Sequence, residues 1–155
     1  MTRERGKVAA LVTEHYPAIA RDLLGPLLDF LSLAREACGG DADKVLILLV
    51  IAIRTSEHED FARYTQEQLT SGEVPVFPTL GTNVRSIADS VRAPKETIRR
   101  KVVELLETGW IDREDTELRF TALGYRELAK VRGAIERMAV RNFEVVEDLL
   151  KRSGD

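Results

Sequence analysis

VRSIADSVRAPKETIRRKVVELLETGWIDREDTELRFTALG, residues 84–124, is the stretch whose reading decides the fold. Val84, Ile87, Ala88 and Val91 recur at i, i+3, i+4 and i+7, one face of a helix. Arg92-Ala93 forms a turn. Pro94 suits the first position of a second helix, where an N–H would have no partner. Ile98, Val102, Leu105 and Leu106 give that helix its buried face. Gly109 ends it, because glycine accepts a left-handed backbone. Trp110–Arg113 and Leu118–Thr121 then read as two short strands around Glu114-Asp115-Thr116-Glu117.

Two helices joined by a short turn, the second opening in charged and hydroxyl residues, suit a DNA groove. An α-helix fits the major groove, and side chains on its first turns reach base edges. On the second helix Glu96, Thr97, Arg99 and Arg100 point away from the Ile98/Val102/Leu105 face. Lys95 and Lys101 flank that face and are expected to reach phosphates. With Arg85 on the preceding helix and Arg113 and Arg119 on the hairpin, these residues form the candidate DNA-binding set.

The run resembles winged helix-turn-helix transcriptional regulators of the MarR-like group. The resemblance rests on Ile87-Ala88, the turn before Pro94, Thr97-Ile98-x-Arg100, Leu105-x-x-x-Gly109 and Thr121-x-x-Gly124. It covers about a quarter of the chain firmly. It implies a mainly α fold: a three-helix core with a β-hairpin wing, flanked by N- and C-terminal helical extensions. It also implies double-stranded DNA as partner and a homodimer paired through the terminal helices, and it leaves room for a small-molecule effector. Two positions depart from the pattern. Arg92 stands where the family usually has a turn glycine, and the wing tip is acidic (Glu114, Asp115, Glu117).

The chain has 155 residues, 44% of them hydrophobic, enough for one domain with helical extensions. The start, Met1 to Lys7, is charged and is not followed by an apolar run suited to a signal peptide. The longest apolar run, Val45 to Ile53, is too short for a membrane span, which needs about 20 residues. One cysteine, Cys38, excludes an intramolecular disulfide and agrees with a cytoplasmic location. A net charge of −3 argues against indiscriminate coating of nucleic acid. The distribution says more. Between Val84 and Trp110, six basic residues (Arg85, Arg92, Lys95, Arg99, Arg100, Lys101) stand against four acidic ones (Asp89, Glu96, Glu104, Glu107). Between Glu57 and Asn83, Arg63 alone opposes Glu57, Glu59, Asp60, Glu67 and Glu73. Positive charge therefore gathers at the start of the reading helix, a small footprint that a dimer would double.

Residues 1–40 are read as an N-terminal helical extension. Pro17 is expected to open a new helix and Gly25-Pro26 to kink or end it; the next helix stops at Gly39-Gly40. Residues 41–124 form the winged helix-turn-helix domain. Asp41 or Asp43 caps its first helix, whose run Val45–Ile53 is apolar on every side and so belongs at the centre of the core. Ser56-Glu57-His58-Glu59 has the form of a capping box. An insertion at about 57–82 separates this helix from Val84, far more than the usual connection. Within it, Val74–Phe77 reads as extended beside the wing. Residues 125–155 read as a long C-terminal helix, single or broken near Gly133. Its far half needs a partner, and a C2 dimer would set two reading helices one DNA turn apart.

Other signals are weaker. His58 lies among Glu57, Glu59 and Asp60, but adjacent helical residues splay around the axis, and neither metal nor cofactor is expected. Cys38 reads as a small buried apolar residue and Trp110 as part of the core. No phosphate loop, nucleophile elbow or metal-ligand spacing points to an enzyme. The alternative reading is a winged-helix protein–protein interaction module without DNA binding, for which the acidic wing is the best argument.

Overall fold

The computed structural model describes residues 2–154. In chain order the elements are α1 (Thr2–Ala37), α2 (Ala42–Ser56), a single 3-10 turn (Phe61–Arg63), α3 (Gln66–Ser71), α4 (Val84–Val91), α5 (Lys95–Thr108), β1 (Ile111–Glu114), β2 (Glu117–Phe120), α6 (Ala122–Glu127) and α7 (Ala129–Ser153). The protein is mainly helical with one small antiparallel hairpin. Its residues gather into two compact units, 2–33 with 130–154, and 34–129.

In the first unit α1 and α7 run antiparallel. Their ion pairs show the direction: Asp29 meets Arg137 at 3.2 Å, and Asp22, earlier on α1, meets Arg141, later on α7. Ile19, Val145 and Leu149 are buried together, with Val12 and Leu23 packed against them. A second apolar stripe has no cover. Leu24, Leu27, Leu28 and Leu31 recur on α1 at helical spacing and are exposed, as are Val140 and Phe143 on α7. Leu28 and Phe143 each remain 66% accessible.

α1 corrects an expectation. Neither Pro17 nor Gly25-Pro26 divides it; both prolines lie inside one continuous helix of 36 residues. Each proline removes one i→i−4 hydrogen bond at a cost of about 3 kcal/mol. On the same helix Val12, Ile19 and Leu23 pack with Val145 and Leu149 of α7. A second correction concerns the C-terminal helix, which breaks at Leu128 rather than near Gly133. Leu128 caps α6 by returning its N–H to the Gly124 carbonyl. Gly133 merely lowers helix propensity, by about 1 kcal/mol, and α7 passes through it.

In the second unit α2 packs on α4, α5 and β2. Asp41 caps it, accepting from the N–H groups of Asp43 and Lys44. The core is Ile47 and Ile51 of α2, Ile87 of α4, Ile98, Val102 and Leu105 of α5, and Ile111 and Leu118 of the hairpin. The run Val45–Ile53 is apolar all round, yet Leu46 and Ile53 face outward. The helix is central on one side only.

The chain between α2 and α4 is filled rather than loose. α2 stops at Ser56, so the box expected there does not form; the capping box is at Thr65 and Gln68, opening α3. Phe61, Tyr64, Phe77, Phe120 and Tyr125 form an edge-to-face and tilted aromatic cluster with centroid separations of 5.1–6.4 Å. Val76 bridges to Thr121, and the Phe77 N–H donates to the Phe120 carbonyl at 3.0 Å. The Leu118 N–H donates to Thr82 at 2.8 Å. Val76, Phe77 and Thr82 thus border β2 at three points.

Candidate nucleic-acid interface

α4 starts at Asn83, whose side-chain oxygen accepts from the Ser86 N–H at 2.9 Å. Ile87 and Ala88 are buried, which leaves Arg85, Ser86, Asp89 and Ser90 exposed. The helix ends at Arg92 with φ 56° and ψ 43°, a left-handed conformation in a residue with a Cβ. The turn therefore keeps the backbone that a glycine would supply, with an exposed guanidinium attached. Pro94 is the N-cap of α5, one position earlier than expected, and its carbonyl accepts from the Ile98 N–H. Gly109 closes α5 with φ 76°.

α5 is fastened along its buried side. Ile98, Val102 and Leu105 are fully or almost fully enclosed. Beside them Lys101 donates to Asp41 at 2.9 Å and Asp43 at 2.8 Å, and Glu104 accepts from Lys44 at 2.6 Å. Lys101 is thus not the free cation expected: its side chain is 14% accessible and held at the start of α2. Burial raises the Asp41 pKa, but hydrogen bonds from Lys101, Lys44 and Asp43 outweigh it and leave the carboxyl below its ordinary value. The hydrogen bonds from Asp43 and Asp41 hold the Lys101 ammonium above its own. Sequence alone could not show this clamp, since its partners lie some sixty residues apart.

The opposite side of α5 begins with Lys95, Glu96, Arg99 and Arg100, all exposed, while Thr97 is half-buried. Glu96 and Arg99 engage each other. The Arg99 Nε donates to both Glu96 oxygens, at 3.1 and 3.0 Å, and Nη2 donates to Oε1. The hydrogen bond from Arg99 holds the Glu96 carboxyl below its ordinary pKa. The side chains of Arg85, Arg92, Lys95 and Arg100 make no hydrogen bond or ion pair among the described residues. Arg92, which sequence analysis places only in the turn, joins them; a basic residue at a glycine position was the available signal.

The hairpin offers less. Arg113 is exposed, but Arg119 is drawn onto Glu114 at 2.8 Å and its side chain is only partly accessible. Asp112, Glu114, Asp115 and Glu117 dominate the rest of its surface. Asp115 takes a positive φ of 53° at the tip. Trp110 is half-buried at the hairpin base. His58 accepts from the Asp60 N–H, and no group of three metal-ligating side chains occurs among the described residues. Cys38 is buried, and burial pushes its thiol up to about 11, with Lys44 lowering and Asp41 raising it. A thiol that stays protonated is a poor nucleophile. No described helix is long and apolar enough to cross a membrane. Compared with family models, curated proteins and solved structures, the chain matches none.

Proposed function

We propose that this protein is a sequence-specific DNA-binding transcriptional regulator that acts as a dimer through a winged helix-turn-helix. In this reading α2, α4 and α5 are the three-helix core, β1–β2 is the wing, and the start of α5 enters the major groove. The observation that carries the reading is the two-sidedness of α5. Its inner face is locked to α2 by apolar packing and ion pairs, while its first turns present Lys95, Glu96, Arg99 and Arg100 to solvent. Rigid support behind an exposed polar tip is what base reading requires. Arg85 and Arg92 precede that tip on α4 and in the turn, and serve as phosphate contacts. The dimer draws on the uncovered stripe Leu24, Leu27, Leu28 and Leu31 with Val140 and Phe143; apolar patches of this kind mark interaction surfaces.

Selection of bound duplexes from random DNA by the purified protein tests the proposal. A consensus should emerge, with affinity falling steeply as salt rises because phosphate contacts release counterions. No retention of any duplex at low salt by a folded sample would overturn it. The acidic hairpin favours a second reading, a winged-helix module that binds protein. Failure of DNA retention together with capture of a specific protein partner is the outcome that would replace the first reading with the second.

A further inference from the structure

We propose that Glu96 and Arg99 act as one reading unit that recognises a C·G base pair, with Glu96 determining specificity and positioning Arg99. The inference rests on the DNA-binding reading above and goes beyond it by naming the base pair. It starts from which edge of each group is occupied. Arg99 turns its side edge, Nε and Nη2, to the Glu96 carboxylate. A guanidinium has five N–H donors in a fixed fork. Two are used here, so the end edge, Nη1 with the second hydrogen of Nη2, remains open. That edge matches the O6 and N7 acceptors of guanine.

The carboxylate is likewise only partly occupied, since its two oxygens offer about four acceptor positions. Cytosine shows an N4–H donor in the major groove, beside the O6 of its paired guanine. Residues three apart on a helix are neighbours, about 5–6 Å between Cβ atoms. One C·G pair can therefore satisfy both free edges while the Glu96–Arg99 bonds persist. A phosphate cannot, because it would meet the carboxylate as a like charge. Glu96 is therefore a negative group kept among Lys95, Arg99 and Arg100 for what it rejects as well as for what it accepts. Both side chains are open to solvent, Glu96 77% and Arg99 56%. Neither is occupied in supporting the fold, whereas Lys101, two residues after Arg99, is spent on Asp41 and Asp43.

The test runs duplex selection in parallel on the full chain and on Glu96→Gln, with circular dichroism confirming that the variant is folded. For the natural protein the expected result is a consensus containing an invariant C·G pair. For Glu96→Gln, discrimination at that single position should fall about tenfold, with binding to unselected duplex strengthened because a negative charge has left the surface. Arg99→Ala should relax the same position. An identical base profile for the natural protein and Glu96→Gln overturns the reading unit but leaves DNA binding standing. Loss of discrimination spread over all positions overturns it too. Failure of the natural protein to select any duplex removes both proposals together.

Discussion

Arg92→Gly should make the protein more stable and, on the proposed function, its hold on duplex DNA weaker. Arg92 sits at φ 56° and ψ 43°, where the Cβ of an L-residue crowds the following carbonyl. That conformation costs roughly 1–2 kcal/mol, and glycine does not incur it. Glycine gives part of this back, about 0.5–1 kcal/mol, because its unfolded chain is freer. The net expectation is stabilisation by about 0.5–1 kcal/mol, or about 1–4 °C in Tm for a chain of this size. Arg92→Ala is the control: it removes the same guanidinium but keeps a Cβ in the left-handed region. Urea unfolding of the three proteins should rank Gly above both Arg and Ala. Duplex binding measured against salt should weaken for Gly and Ala alike, with the logarithmic slope reduced by about 1 as one phosphate contact is lost. A Gly variant no more stable than Ala would refute the backbone argument. An unchanged salt slope in both variants would remove Arg92 from the interface.

Gly124→Ala should destabilise by about 1–3 kcal/mol, measured by urea unfolding, because a Cβ there would lie 2.4 Å from the Trp110 carbonyl oxygen and 3.0 Å from the Phe120 ring. Lys101→Met should lose about 1 kcal/mol near neutral pH, and the pH dependence of that loss has a definite sign. Asp41 titrates below its ordinary 3.8 when folded, so its contribution is present above that value and disappears as pH falls through the lower folded one. Lys101 titrates above its ordinary 10.5, so its contribution is present below that value and disappears as pH rises through the higher folded one. The stability gap between Lys101→Met and the natural protein should therefore be flat from about pH 5 to 9 and shrink at both extremes; a gap that changes across the neutral range would contradict the clamp. Leu28→Glu with Phe143→Glu should shift a dimer to monomer in light scattering, and a monomeric natural protein would remove the dimer. Arg100→Ala should weaken binding to the selected duplex by about 1–3 kcal/mol if Arg100 contacts a guanine.

Local grammar was legible in the sequence. Gly109, and Asp41 of the two caps offered for α2, each carry a boundary in a single backbone or side-chain preference, and each boundary stands where read. The extended stretch near Phe77 was legible too, from its prolines and the lack of a helical period. Pro17 and Pro26 misled because a local rule about broken hydrogen bonds says nothing of packing gained along a long helix. Ser56 misled for the opposite reason: its pattern suits a cap, but the chain has another at Thr65. At the start of α5, residue types and their place on the helix were readable from spacing. Which charges remain available was not. Lys101 is taken up by carboxylates far away in the chain, and Arg119 by one across the hairpin.

The segment laid along β2 has a consequence for solubility. A two-stranded hairpin has two open margins, each able to recruit a strand from another molecule. Here the Val76–Phe77 stretch and Thr82 occupy the β2 margin. The remaining margin, on β1, displays Asp112, Arg113 and Glu114. A second copy pairing there with Asp112 opposite Asp112 or Glu114 would bring carboxylate against carboxylate. The acidity of this hairpin thus also disfavours those registers of edge-to-edge growth on the β1 side.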